Sequence, residues 1–421
     1  MSNKAAVNMV LTPDDGYEIV TGYREAEEIL RRGNDFAAQG GRGAEAVEFV
    51  RDTLIDLDGD AHFELRRLLA HAVSPRNLTA YEATIRNIVG QYVSAQVAAV
   101  AAGASESTDL IELLRRIFWH LGATMIGVDG VDDPERLSLL EQIVVPSLEG
   151  VTILFSLKDH GEVAEIAREN VRRFRVEFYN ASRDRRRALL DLAERGEISR
   201  SDVPDDVLTL LLESGTYDDE TILRQCVVMM GASTSSTVNV TCHALAELEA
   251  WLRLHPGDAA RLADPAFIAS VVNETIRVHR TGSPYLLRRA KRDVVLDTTG
   301  RRIPAGAEVA LDLRLASQDT SVFGADAGEF DPNRVVGAHR AKGYGLGFGS
   351  GPHVCLAKRM IVNEGAASSA PRLIDIVVMS LLEAGVRVDP GLAPLREPHG
   401  ADRFRHFPVR VGVTVSGGEG A

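Results

Sequence analysis

Aromatic side chains make up only 5% of the 421 residues, and cysteine occurs three times. Scarce aromatics leave any binding cavity to be lined by aliphatic and small side chains. Three cysteines, an odd count, exclude a full disulfide framework and point to a reducing compartment. Positive charge is short as well. Against 60 Asp and Glu stand 47 Lys and Arg, for a net charge of −13, and a phosphate backbone needs a cationic face, so nucleic acid is excluded as a general partner. Long apolar runs are missing too. MSNKAAVNMVLTPDDGYEIV carries charges and a turn, and IDIVVMSLLEAGV is too short to span a bilayer and reads as a core helix. These absences predict a soluble, cytoplasmic protein that binds neither membrane nor nucleic acid.

What is present describes a globular chain with ample core: 45% hydrophobic and 25% charged residues. Helical periodicity dominates from about residue 62 to 280, in HFELRRLLAHAV, YEATIRNIVGQYVSAQVAAVAA, DLIELLRRIFWHLGATMIG and the single long run EIARENVRRFRVEFYNASRDRRRALLDLAER. A further apolar helix starts at Asp219 and ends at the His-Pro pair 255–256, and DPAFIASVVNETIRVHR follows it. Beyond it the texture changes to hairpin strands, with turns at Asp-Thr-Thr-Gly and Pro-Ala-Gly, and HFPVRVGVTVS is strand-like again. AAQGGRGAE, residues 37–45, reads as a loop. The expected fold class is mainly α with a smaller β-rich part. No repeat or linker divides the chain, which predicts a single domain over 1–421. Cys226 and Cys242 fall on one helix, roughly 24 Å apart at the helical rise, and read as two inert buried thiols.

The third cysteine stands in GFGSGPHVCLAKRM, where glycines crowd the residues before Cys355 and a helix-like run follows it. Backbone N–H groups and a helix start can hold such a sulfur as a thiolate. A zinc site would want further ligands at regular spacing, yet only His353 is near. A nucleophile would want a base and an orienting group, and His353 alone fits no such motif. An axial thiolate on haem iron is the third reading, and a buried cysteine at a helix start the plainest one.

FGSGPHVC resembles the haem-binding loop of the cytochrome P450 family, with Phe348, Gly349, Gly351, His353 and Cys355 at the pattern positions and Ala357 where the family usually has glycine. The resemblance extends from about residue 55 to the C-terminal strand. It implies the family fold, a haem b (iron protoporphyrin IX) between the long central helix and the cysteine-loop helix, and Cys355 as metal ligand. His62 and Arg66, at i and i+4, resemble the family's first propionate-binding helix, Arg288 its strand arginine, and His353 would complete the set. Glu274 and Arg277 match the family's Glu-x-x-Arg, and Arg334 in FDPNR supplies the third member of a buried structural triad.

The central helix departs from the family's Ala/Gly-Gly-x-acid-Thr. VVMMGASTSSTVNVT aligns in two ways. With Gly231 as the groove glycine, Ser233 takes the acid position and Thr234 the threonine position. This register keeps the glycine and is the preferred one. Aligned on the later Thr-Val-Asn, Ser235 takes the acid position, Ser236 and Thr237 follow, and no glycine remains. Neither supplies a carboxylate, so protons would pass through water, hydroxyls or substrate. A Ser/Thr-rich stretch that merely bends its helix is the plain alternative.

The residues after Cys355 are too few for a flavin domain, and no dinucleotide fingerprint occurs. The resemblance therefore implies an external ferredoxin and ferredoxin reductase, with Arg66, Arg67, Lys358 and Arg359 as candidate docking cations. Pro284, Tyr285 and Leu286 fall in a variable region expected to face the distal cavity. The expected activity is a monooxygenase that inserts one atom of O2 into a small hydrophobic substrate, acting as a monomer. A coupling or peroxide-using haem-thiolate enzyme, and a non-catalytic haem ligand-binding or sensor protein, are the alternatives.

Overall fold

The computed structural model describes residues 11, 16–39, 47–103, 105, 107–153, 156, 158–283, 285–336, 341–362, 370–397 and 402–412. Its helices follow the periodicity closely. After α1 (Tyr23–Arg31) and the single turn α2 (Val47–Val50) come α3 (Gly59–Leu69), α4 (Pro75–Ala101), α5 (Leu110–Ile126) and α6 (Pro134–Val151). They are followed by α7 (His160–Phe174), α8 (Asn180–Glu194), α9 (Val207–Ser214), the long α10 (Asp219–Leu254) and α11 (Pro265–Val278). Part of the acidic excess has a local use here. Asp58, Asp109, Asp133, Asp159, Asp206, Asp218 and Asp264 each accept a first-turn N–H of the helix they precede. A carboxylate there satisfies a donor the helix cannot and complements its dipole.

One run expected as a continuous helix is interrupted. Between α7 and α8 lies a π-helical turn, Arg175–Tyr179. It brings the Tyr179 hydroxyl within 3.0 Å of Asp219 Oδ1, at the start of α10, where Arg175 and Arg183 also pair with that carboxylate. α10 then passes through the core, packed by α5, α6, α9, α11 and α15 (Leu373–Glu383). Cys226 and Cys242 are both buried in it.

The β part comprises small sheets. β1 (Tyr17–Val20), β2 (Phe36–Gln39), β4 (Tyr285–Ala290) and β7 (Glu308–Asp312) form one sheet in the order β1-β7-β4-β2, parallel only between β1 and β7. Residues 37–39, expected in a loop, instead pair with β4; residues 40–45 lie outside the described residues. β5 (Val294–Val295) and β6 (Arg302–Ile303) form the hairpin expected around Asp-Thr-Thr-Gly. β3 (Ser107–Asp109), β11 (Pro408–Arg410) and β8 (Arg387–Val388) make a third sheet, and β9 (Leu395–Arg396) pairs with β10 (Phe404–His406). The short helices α12 (Leu313–Ser317), α13 (Thr320–Phe323) and α14 (Lys358–Ile361) complete the set. The architecture is mainly α with a smaller β part, as the sequence predicts.

The Glu274–Arg277 pair on α11 is wholly interior. Arg277 grips the carboxylate with two parallel bonds, Nε–Oε2 at 2.7 Å and Nη2–Oε1 at 2.6 Å, and donates its other hydrogens to the carbonyls of Ser317, Ala327 and Glu329. Arg334 Nε reaches Glu274 Oε1 at 2.9 Å, and the Asp331 N–H donates to the same oxygen. A buried guanidinium is tolerated only when its donors are filled this completely. Glu274→Ala leaves Arg277 without its counter-anion and is expected to destabilise the fold by about 3–5 kcal/mol, read as a lowered urea midpoint in circular dichroism.

Candidate active site

The cysteine loop is shaped by close approaches that only glycine permits. At Gly351, with φ near +70°, an added Cβ would lie 2.2 Å from the Leu30 carbonyl oxygen at the end of α1. At Gly347 it would lie 2.3 Å from Ile276 Cγ2 on α11. The loop is thus clamped between α1 and α11. Cys355 closes it with an N–H donated to the Phe348 carbonyl at 2.9 Å, and the Phe348 ring packs edge-on to Tyr344. Cys355 is exposed by surface but surrounded by protein, so its accessible face opens on an interior recess. Burial pushes its thiol above the ordinary range, while the N–H groups of Ala357 and Lys358 and the charges of Arg66 and Lys358 pull it back. The helix after it is a single turn, so these two N–H groups, rather than a long dipole, hold the sulfur.

Around this sulfur the structure gathers His62, Arg66, Arg288 and His353. The His62 and His353 rings stack at 4.0 Å between centroids. His353 Nε2 lies 3.2 Å from Asp58 Oδ1, and Lys291 Nζ lies 2.9 Å from Asp58 Oδ2. Burial lowers the His62 pKa to about 4, helped by the nearby His353 and Arg66 charges. Burial likewise lowers Arg288 to about 10, and the guanidinium bonds only the carbonyl of its neighbour Leu287. Arg66 has no hydrogen bond or ion pair among the described residues. Asp58 and Lys291 were not singled out from the sequence. The Asp-Gly before a helix could have marked Asp58 as a cap, though not as the one carboxylate in this group.

The central helix sorts its hydroxyls into two sets. Ser233, Thr234 and Thr237 are tied back to their own helix: Ser233 and Thr234 donate to the Met230 carbonyl at 2.8 and 3.1 Å, and Thr237 to Ser233 and Thr234. Ser233 Oγ also lies 2.6 Å from where a Cβ on Gly122 of α5 would sit, so it fills that notch. Gly231 faces α6, where an added Cβ would lie 2.2 Å from Leu148. The glycine that favoured the first register serves helix packing, and the Ser233 and Thr234 hydroxyls are spent on the Met230 carbonyl. Ala232 and Ser235 are exposed in this otherwise buried helix, with Ser236 half-buried beside them. Neither serine hydroxyl has a bond among the described residues. The open strip therefore follows the second register.

Residues 280–283 stitch this strip to the cysteine loop. Thr281 Oγ1 donates to the Ser236 carbonyl at 3.3 Å, and Arg280 Nη1 donates to the Gly347 carbonyl at 2.9 Å. Pro284 lies outside the described residues. Tyr285 and Leu286, next in chain, point to opposite faces of β4. Tyr285 packs with Leu287, Ala310, Leu11, Tyr17 and Ile19, away from the recess. Leu286 Cδ1 comes within 3.7 Å of a Cβ built on Gly349, so it is the one that meets the cysteine loop. A second cluster, missed in the sequence, joins His243, His279 and Asp402. His279 lies between two carboxylates, Nδ1 to Asp402 Oδ2 at 2.6 Å and Nε2 to Glu247 Oε1 at 2.7 Å, with the His243 ring stacked on it. Both ring nitrogens are committed, which makes this an ion-pair clamp.

A family model for cytochrome P450 matches residues 259–361. Relatives agree over longer spans. The chain is 24% identical over 375 residues to cytochrome P450 monooxygenase PikC of Streptomyces venezuelae, covering 86% of this chain and 80% of that protein. It is 24% identical over 362 residues to cytochrome P450 55A3 of Fusarium lichenicola, covering 85% and 78%. Cytochrome P450 monooxygenase sphH of Aspergillus fumigatus is 27% identical over 180 residues, where the chain spans only 33% of the relative. Among solved structures, HmtT of himastatin biosynthesis superposes with a TM-score of 0.72 at 20% identity, covering 96% of this chain and 94% of that one. The chain is thus similar to cytochrome P450s along most of its length. Two of these relatives carry monooxygenase in their names. No described helix is long and apolar enough to cross a membrane.

The haem that a P450 requires fits the residues present. Cations outnumber carboxylates beside Cys355: Arg66, Arg288 and Lys291 share Asp58 alone among the described residues, while burial lowers the pKa of His62 and His353 and holds them as imidazoles. Burying that excess is costly without further anions, and two propionates would supply them. Cys355, already approached by two N–H groups, offers the sulfur donor.

The histidine clamp gives a pH signature. Burial alone would lower the His279 pKa, but Asp402 and Glu247 outweigh it and raise it. Its stabilisation is therefore complete below the unfolded value of about 6.5 and is lost as pH rises through the folded value. Thermal melts of wild type and His279→Gln should differ most near pH 6 and converge at alkaline pH.

Proposed function

We propose that this protein is a haem-thiolate monooxygenase with Cys355 as axial ligand of haem b, acting on a small, largely apolar organic substrate. One substrate C–H bond, one dioxygen, two electrons and two protons yield one C–OH group and one water. The observation that carries this reading is the Cys355 sulfur, held at the end of a glycine-clamped loop beside Arg66, Arg288 and Lys291, which exceed the one carboxylate, Asp58, among the described residues. The haem supplies dioxygen binding and O–O cleavage, which a thiolate ligand favours. The chain's own residues do the rest. Arg66, Arg288, His62 and His353 bind the propionates. Phe348 shields the sulfur from water. Ser235 and Ser236, whose hydroxyls are free, hold water in the recess and pass protons along it.

A hydroxyl does not ionise near neutral pH, so the strip can relay protons only through ordered water. The absence of a carboxylate from the open strip, among the described residues, favours as second reading a peroxide-driven or coupling outcome at the same centre. Electrons come from a separate protein, a ferredoxin with its reductase. Arg67 and Arg359 are exposed and suit an acidic donor, whereas Arg66 is half-buried and committed to the propionates. We further infer one domain, a monomer and a cytoplasmic location.

The test is spectroscopic and then isotopic. Purified holoprotein should give the ferrous carbonyl band of thiolate ligation, and Cys355→His should lose it; an imidazole-type band in wild type would sink the reading. Turnover under labelled dioxygen with ferredoxin and reductase should place one labelled atom in product. Unlabelled product would favour coupling, label that comes only from added peroxide the peroxygenase. Ser236→Ala is expected to lower coupled turnover on the order of 10²-fold and divert electrons to free peroxide. Thr234→Ala should leave the ratio of peroxide to product near wild type.

A further inference from the structure

Two arginines near the cysteine loop form no ion pair among the described residues, although the Asp312 charge acts on Arg280 and that of Glu397 on Arg403. Arg280 follows α11, and two of its three nitrogens are spent on carbonyls: Nε on Ser283 at 2.9 Å and Nη1 on Gly347 at 2.9 Å. Arg403, on β10's approach to the core, gives Nε to the Thr281 carbonyl at 2.9 Å. Arg280 Nη2 and both terminal nitrogens of Arg403 have no partner among the described residues, and neither side chain forms an ion pair there. Both residues are only partly accessible, and burial pulls both guanidinium pKa values down, Arg280 to about 10. Two buried arginines elsewhere differ from this pair, though Arg288 likewise bonds only a carbonyl among the described residues. Arg186 and Arg277 each hold carboxylates directly.

The two are held side by side by the residues that precede them. His279 and Asp402, paired at 2.6 Å, stand immediately before Arg280 and Arg403. Thr281, between the two guanidinium attachments, bonds the Ser236 carbonyl on the open strip of α10. The pair therefore sits beside the hydroxyl strip, on the segment joining it to the cysteine loop. The haem does not need these charges. Its two propionates leave the same edge of the ring, and His62, Arg66, Arg288 and His353 form a separate group around Asp58.

We propose that Arg280 and Arg403 form a carboxylate-binding pair that holds an acidic substrate by its anionic end, with its apolar body lying along the Ala232–Ser236 strip and Leu286. The proposal rests on the haem-thiolate reading and narrows its substrate class from apolar molecules to organic acids with an apolar body. Charge-assisted bonds from two planar guanidinium groups suit a carboxylate and reject the neutral amide of equal shape.

The test compares binding of acids with that of their amides. Ferric holoprotein is titrated with a series of alkanoates and arylalkanoates of increasing length, each beside its own amide, and followed by the Soret shift and by calorimetry. At least one acid is expected to bind about tenfold to a hundredfold more tightly than its amide, with affinity falling as salt rises. Arg403→Gln and Arg280→Gln should each erase that preference while haem content stays at wild-type level, and Arg280→Lys should restore part of it. If no acid in the series outbinds its amide, the proposal fails. Loss of haem from Arg280→Gln and Arg403→Gln, with the acid preference intact in what remains loaded, would assign the pair to the propionates and also overturn it. A wild-type protein without a thiolate carbonyl band would instead sink the underlying haem reading, a separate result.

Discussion

The fork between Glu274 and Arg277 is the fixed point from which the site is built. Its guanidinium collects the carbonyls of Ser317, Ala327 and Glu329, so three chain segments share one buried charge. The Ser317 hydroxyl in turn accepts the Leu346 N–H, two residues before Phe348. A Cβ on Gly345 would lie 2.6 Å from that same hydroxyl oxygen. The cysteine loop is therefore docked on residues the fork has already positioned. An apolar pair of equal volume could fill the space, but could not fix these backbone segments in register. Order at Cys355 begins some distance away.

Charge is distributed with the same logic. A net charge of −13 would suggest an acidic interior, yet many aspartates are spent on helix starts and surface pairs. Near the cysteine loop the balance is reversed. One group of cations surrounds Asp58 on the side of α3 and β4; a second, Arg280 and Arg403, sits by residues 280–283. Carbonyl oxygens keep Arg280, Arg288 and Arg403 from being wholly unsatisfied, while burial depresses their pKa values. Each group is poised for an anion from outside the chain.

Much of this was legible in the sequence because the relevant signals are local. The Phe348–Cys355 spacing, Glu274 with Arg277 and the His62–Arg66 step are short-range patterns, and in the structure Arg277 and Arg334 bond Glu274 while His62 stacks on His353. The helices were equally plain, since their apolar faces repeat every three to four residues. What failed depended on partners distant in sequence. Gly231 looked like a groove until Leu148 from α6 was found opposite it. Ser233 looked like a proton carrier until Gly122 of α5 received its hydroxyl. Tyr285 and Leu286 differ by one residue and therefore by a whole sheet face, which no sequence window of that length can assign. Arg280 carries no motif; only its burial without an ion pair among the described residues, seen in three dimensions, sets it apart.

The π-helical turn at Arg175–Tyr179 has a geometric consequence for the layer above α10. One additional residue within a helix rotates everything beyond it by roughly 100° about the axis. α7 thus presents Val163, Ala164 and Ala167 inward in one phase, while α8 continues in another, with Arg183 swung toward Asp219 and Arg186 toward Asp129 and Asp206. Two neighbours that a uniform helix could not serve at once are both engaged by one continuous rod. Excising a single residue there would re-phase the rod and aim one half of it at empty solvent.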